Sequence, residues 1–231
     1  ETLKNRYPNV RILTWKKEFN YSAINNFAVR EAQGEYLLFL NNDVEIITEN
    51  WLEEMLQLCQ QKDVGMAGAK LYYPDDTIQH AGVVVGLGGV AAHVLCKLPR
   101  DAEGYMGRLR CVQEISAVTA ACMMVKTSVF KAVGGFDEEL KVAFNDIDLC
   151  MKVRKYGVKI VFTPYAELYH YESKSRGMED TPEKQLRFSR EVNCFRRKWE
   201  RELLKGDPYY NPNLTLNNTD CSLRKQEKNG D

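Results

Sequence analysis

Residues Asn41-Asn42-Asp43-Val44-Glu45 place two amides and two carboxylates directly after the short apolar run Tyr36–Leu40. The run is too short for a helix and is bounded by Gly34 and Asn41, so it reads as a buried strand. In an open α/β sheet, ligands bind outside the carboxyl ends of the strands. A carboxylate there, with amide neighbours, suits a hard divalent cation. Mg²⁺ or Mn²⁺ takes one or two carboxylates from the protein and completes its shell with phosphate oxygens and water. Taken alone, the segment slightly favours a plainer alternative, a polar turn in which Asp43 caps the helix that begins near Thr48.

Two further places shift the balance. Asp146 and Asp148 open a helical pattern after Phe144. Acidic residues favour the first turn of a helix, which accounts for one of them. Asp148 is assigned to the cap, and Asp146 to a general base acting on a hydroxyl. His170 follows a strand and a proline turn. A lone histidine is usually a satisfied core or surface residue, but its imidazole would complement Asp43 with a nitrogen ligand. One carboxylate and one imidazole make an open site with room for a diphosphate. His80, which precedes the glycine-rich run 81–89, flanks the loop with Tyr72, Tyr73 and His93; these residues either line an acceptor groove by stacking on sugar or only anchor the loop, and His80 is the better groove candidate. Those glycines are not a dinucleotide fingerprint, because no helical pattern follows Gly89 and no βαβ unit surrounds it.

The elements that must position these groups follow from periodicity. A strand at 10–14, a helix at 22–33, the strand at 36–40, a helix at 49–60 and a strand at 65–71 give a β-α-β-α-β order. That is the pattern of an α/β sheet with parallel neighbours. Residues 72–115 read as a strand or two and a long mobile loop. A strand at 116–125, a helix at 127–133, a helix through Tyr156, a strand at 159–163 closed by Pro164, and a charged helix at 181–205 follow. The last helix is expected to dock by its apolar face, with contact to a membrane surface or a lipid-linked phosphate as the functional alternative. The tail 211–231 is expected to be disordered at its end.

The totals bound the class. The 231 residues are 44% hydrophobic, with 32 basic and 32 acidic side chains. That suffices for one large domain or two small ones, and the balance argues against a nucleic-acid binder. No apolar run approaches the ~18 residues of a membrane span. The seven cysteines are an odd number and form no CxxC pair, as expected for reduced thiols in a cytoplasmic protein. The first strand reads as already inside a sheet, so a fragment lacking an N-terminal portion is expected.

Four segments, in order, resemble glycosyltransferase family 2, the inverting enzymes of GT-A fold. The segment from Gly34 to Asp43 resembles the strand that ends in that family's DxD motif. Val133-Gly134-Gly135-Phe136-Asp137-Glu138 resembles its GGFDE segment, and Phe144 to Cys150 its ED-x-D-L-C helix start. Gly157 to Pro164, with His170, resembles the stretch that follows. The Asn-Asn-Asp form and the segment Pro164 to His170 further resemble the rhamnosyltransferase-like branch, which builds bacterial surface polysaccharides.

The resemblance implies a GT-A-like α/β fold, with a mixed, mostly parallel sheet flanked by helices and the first nucleotide-binding strands missing. Residues 1–180 would be the catalytic domain and 181–210 a helix packed on it. The implied activity moves a sugar from a nucleotide-diphospho sugar to a glycan or lipid-linked acceptor with inversion, in the cytoplasm or at the inner face of the membrane. Asp43 and His170 would hold Mg²⁺ or Mn²⁺, Asn42 and Asp43 the donor, and Asp146 would be the base. Asn26 would lie near the nucleotide, and Asp137 and Glu138 near the acceptor. Two departures stand out: Asn41-Asn42-Asp43 replaces one carboxylate of the DxD by an amide, and Asn145-Asp146 does the same in the ED pair. These support the competing expectation of a non-catalytic carbohydrate-binding or scaffold module of the same fold. Residues 1–231 alone are expected to bind donor poorly.

Overall fold

The computed structural model describes residues 5–172 and 181–225. The elements are α1 (Tyr21–Val29), β1 (Tyr36–Leu40), β2 (Val44–Ile46), α2 (Trp51–Cys59), β3 (Val64–Tyr72), β4 (Ile78–His80), β5 (Val83–Val85), β6 (Ala91–His93), β7 (Gln113–Glu114), β8 (Cys122–Lys126), α3 (Thr127–Ala132), α4 (Asn145–Tyr156), β9 (Lys159–His170) and α5 (Pro182–Lys205). Local chemistry sets several boundaries. The Asn20 side chain accepts from the Ala23 N–H to open α1. Thr181 does the same for Lys184 at the start of α5, where Pro182 costs no helical hydrogen bond. Gly157, at φ 95°, ends α4 in a conformation that other residues resist.

The main sheet has the order β1-β8-β3-β9-β2, with β4 paired to β3 and β7 to β9. The β3–β9 ladder is parallel, and the other ladders are antiparallel. Because β8 is antiparallel to both its neighbours, β1, β3 and β9 all run the same way. Their carboxyl ends therefore share one edge of the sheet, where an α/β fold places its ligands.

All nine residues of β3 are buried. Ala67, Ala69 and Leu71 pack with Met55, Leu58 and Cys59 of α2 on one face, while Met66 joins Met123, Leu149, Phe162 and Phe195 on the other. Gly68 is small for a reason. A Cβ there would lie 2.3 Å from Val118 Cγ1 and 2.5 Å from Val118 Cβ, so the glycine lets segment 116–121 lie close against the sheet. Gly68→Ala should cost about 1–3 kcal/mol by overpacking. Chemical denaturation of the variant measures this, and an unchanged midpoint would show that the segment yields freely.

The structure corrects several expectations. Segment 10–14 joins no ladder among the described residues, and Val10, Ile12 and Leu13 are exposed. The glycine-rich run is not a mobile flap: β5 and β6 form a hairpin whose Val83, Val84 and Val85 are buried. Gly82, Gly86, Gly88 and Gly89 there have positive φ and turn the chain. Pro164 does not end β9. The ladder with β3 shifts register between Phe162 and Glu167, so the missing proline N–H falls where no ladder bond is needed. The strand expected from Ser116 begins only at Cys122. Part of the tail is packed: Leu214 and Cys221 are buried, and the Leu95 N–H donates to the Thr219 carbonyl at 2.6 Å. Its end, 226–231, lies outside the described residues, as do 1–4 and 173–180.

Candidate active site

The chain leaves β1 at one margin of the sheet and re-enters as β2 at the other. Residues 41–43 make that crossing, over the shared carboxyl edge. The crossing is pinned at both ends. The Asn41 N–H donates to the Ala121 carbonyl at 3.0 Å, and the Tyr171 N–H donates to the Asp43 carbonyl at 2.9 Å. Val44 then pairs with His170 in the β2–β9 ladder. Two side chains that sequence separates by more than half the chain are thereby brought together, with Asp43 Oδ1 3.3 Å from His170 Nε2.

The pair has the character of a cation site. Asp43 Oδ1 is buried and, among the described residues, has no hydrogen-bond partner, which is costly for a carboxylate oxygen unless something positive meets it. Burial lowers the His170 pKa from its ordinary value and outweighs the opposing pull of Asp43 and Glu172, so the ring is neutral and can act as a ligand. Among the described residues, no cluster of three or more His, Cys, Asp or Glu could hold a metal. One carboxylate oxygen and one neutral imidazole nitrogen are donors that Mg²⁺ and Mn²⁺ accept while keeping most of their shell for phosphate and water.

Asp146 sits in the first turn of α4. Its Oδ2 accepts from the Ala120 N–H at 3.2 Å and its Oδ1 from the Ile147 N–H at 2.9 Å. These bonds fix the carboxylate and leave each oxygen a further lone pair for a hydroxyl. Segment 119–121 joins the parts of the site. Ala120 holds Asp146, Ala121 holds Asn41, and the Tyr21 hydroxyl donates to the Ala120 carbonyl at 3.1 Å.

Helix α5 braces the loop that carries Asp146. Glu191, 3% exposed, accepts from the Val142 and Ala143 N–H groups at 2.9 and 3.0 Å. Phe144, held at φ 60°, packs between Phe188 and Phe195. Asp148 is fully buried and is not the cap expected of it. It accepts from Trp199 Nε1 at 2.8 Å and pairs with Lys198 and Lys152, tying α4 to α5. Asn145, the amide of the altered acidic pair, is buried and donates to the Val142 carbonyl. No sequence signal pointed to Glu191, whose role depends on a loop about fifty residues away.

The other expected residues fall into two groups. Asn42 is exposed on the crossing, beside Asp43. Asn26 is fully used elsewhere, donating to the Phe136 carbonyl at 2.9 Å and to Glu138 Oε1 at 3.1 Å, and accepting from the Phe136 N–H. Asp137 is ion-paired with Lys198. Burial works against ionisation of its carboxyl, but the Lys198 bond and the Glu139 N–H outweigh it and lower the pKa. Asn26, Asp137 and Glu138 thus form a brace between α1, the Gly134-Gly135 turn and α5. His80 is 0% exposed and offers no stacking face. Its Nε2 accepts from the Thr119 N–H at 3.4 Å, and its Nδ1 lies 3.3 Å from His93 Nδ1.

Burial, followed by the neighbouring His93 and His170, pushes the His80 pKa well below 6.5. The unfolded chain then binds more protons than the folded one at any pH between that lowered value and 6.5, so stability falls as pH drops through this window. Melting temperatures taken from about pH 7.5 down to about pH 5 should decline, and His80→Gln should flatten the decline. An unchanged slope in the variant would assign the effect to other groups.

Residues 8–191 match the sequence family described as "Glycosyltransferase like family". The chain is 56% identical over 215 residues to the uncharacterized protein y4gI of Sinorhizobium fredii, covering 93% of this chain and 24% of that protein. It is 41% identical over 225 residues to the O-antigen biosynthesis protein RfbC of Myxococcus xanthus, covering 97% of this chain and 17% of that protein. The chain thus spans a quarter or less of the length of these relatives. Among solved structures it is similar to GalNAc-T7 with UDP, GalNAc and Mn²⁺, at a TM-score of 0.64 and 13% identity over 88% of this chain and 39% of that one. It is also similar to the mannosyltransferase PcManGT of Pyrobaculum calidifontis with GDP-Man and Mn²⁺, at 0.58 and 14% over 87% and 50%. Identities this low carry the fold alone, and that fold is the GT-A-like α/β architecture.

Proposed function

Because this chain belongs to the glycosyltransferase-like family, we propose that it is the catalytic part of an enzyme that moves a sugar from a nucleotide-diphospho sugar to a glycan or lipid-linked acceptor, with inversion. The observation that carries the proposal is the buried Asp43 Oδ1, without a donor among the described residues, 3.3 Å from His170 Nε2 and on the same sheet edge as the anchored Asp146. Asp43 and His170 would hold Mg²⁺ or Mn²⁺, with Asn42 at the donor's ribose or phosphate. Bound there, the ion would offset the negative charge that gathers on the departing diphosphate.

The chain's own residues would do the rest. Asp146 takes the proton of the acceptor hydroxyl as that oxygen bonds to the anomeric carbon, and the bond from that carbon to the diphosphate breaks on the opposite face. The Ala120 and Ile147 N–H groups hold the carboxylate in place for that transfer. We assign Asn26 and Asp137 to bracing the loop and no longer to donor or acceptor contact, since Asn26 bonds to Phe136 and Glu138 and Asp137 pairs with Lys198, while exposed Glu138 is bonded through one oxygen and keeps the other for the acceptor. His80 is likewise assigned to support of segment 119–121. The names of RfbC and of the two solved relatives support glycan synthesis, a nucleotide-linked donor and Mn²⁺. Among the described residues no helix is long and apolar enough to cross a membrane. Exposed Arg190, Arg197 and Arg201 on α5 are available for peripheral contact with an anionic surface on the cytoplasmic side.

Transfer assays over UDP-, GDP- and dTDP-sugars, with and without Mn²⁺, test the proposal, with the product anomer read by NMR. A metal-dependent product of inverted configuration is expected. A product of retained configuration would overturn the role given to Asp146.

A further inference from the structure

We propose that Gln79 is a positioning residue that fixes which nitrogen of His170 carries the proton, and so keeps the other nitrogen open toward Asp43. The inference rests on the metal-site reading above. Gln79 lies in β4 and is 3% exposed. Its Nε2 is 3.2 Å from the His170 carbonyl oxygen and 3.3 Å from Glu172 Oε2. Both of those atoms can only accept, so the amide NH₂ belongs on that side. Gln79 Oε1 then faces His170 Nδ1 at 2.7 Å, and an amide oxygen can only accept. Nδ1 therefore carries the hydrogen. On the other side of the ring, the bare Nε2 then accepts from the Asn41 amide nitrogen at 3.1 Å, a contact that a cation bound at Nε2 would displace.

The alternative tautomer explains why this matters. An imidazole freed from Gln79 can place its hydrogen on Nε2, which lies 3.3 Å from an Asp43 oxygen that has no other partner among the described residues. That hydrogen bond would satisfy the carboxylate and occupy both cation ligands at once. Gln79 holds the site open against this closure. Partners behind a metal-bound histidine commonly act in this way, by fixing ring orientation and tautomer.

The test is calorimetric titration of Mn²⁺ into the protein with inorganic pyrophosphate present, for wild type, Gln79→Met and His170→Ala. Gln79→Met, which lacks the oxygen, should weaken Mn²⁺ binding about 10- to 100-fold. If His170→Ala leaves Mn²⁺ affinity unchanged, the metal reading itself fails. If His170→Ala weakens binding and Gln79→Met does not, the Gln79 inference fails alone. A second readout needs no Gln79 variant to fold: ¹⁵N NMR of the metal-free wild type, with the His170 signals assigned by their loss in His170→Ala. The hydrogen is expected on Nδ1, and finding it on Nε2 would overturn the inference.

Discussion

Asp146→Asn should lower kcat by about 10²- to 10⁴-fold, the usual contribution of a positioned general base, while donor affinity stays within about threefold of wild type. The separation follows from the geometry. Asn is isosteric and can keep one of the two backbone bonds, from Ala120 or Ile147, so α4 should still form. What it loses is the ability to take a proton. Asp146 makes no bond to Asp43 or His170, so a diphosphate held by that pair would not sense the change. Steady-state transfer kinetics beside a direct donor-binding isotherm measure both quantities. A variant with near-normal kcat would move the base elsewhere. One that loses donor binding as well as turnover would make Asp146 part of the donor pocket.

The second large effect is expected at the metal pair. His170→Ala or Asp43→Asn should each reduce Mn²⁺ affinity by more than ~100-fold, since each would remove one of the two proposed protein ligands. Metal-supported turnover should fall by ~10³-fold or more, consistent with the several kcal/mol an ion supplies to a leaving group. Asp148→Asn is the matched control. It strips a buried carboxylate of its charge between Lys152, Lys198 and Trp199, so it should cost several kcal/mol of stability. Mn²⁺ affinity per folded molecule should be unchanged in that control. Loss of metal binding in Asp148→Asn, or its retention in His170→Ala, would contradict the assignment.

The parts of this site that could be read from the sequence are those encoded locally. The apolar run Tyr36–Leu40 had to be a strand, and a strand in such a sheet delivers whatever follows it to the carboxyl edge, so Asp43 was legible. Asp146 was legible because a helix start places its residue predictably. His170 was legible as a residue type, but its partnership with Asp43 depends on the β2–β9 pairing, which no local pattern encodes. Gln79 was missed because its role is set by sheet neighbours ninety residues away, although a polar residue inside the buried strand Ile78–His80 was a signal available beforehand. The glycine-rich run misled for a physical reason. Positive-φ glycines mark tight turns as readily as mobile loops, and Val83–Val85 between them are apolar enough to be buried. The error at Pro164 was of the same kind, since a proline ends a strand only where the ladder needs its N–H. Asp148, taken for a helix cap, lies past the Phe144 cap on the buried side of α4, where it meets Trp199 of α5.

The most direct test of the account is the anomalous scattering of Mn²⁺ in crystals grown with a nucleoside diphosphate. A single peak is expected within coordination distance of both Asp43 and His170, beside the bound diphosphate. A diphosphate bound without metal at that pair, or a metal seated away from it, would contradict the claim that these two residues form the catalytic cation site.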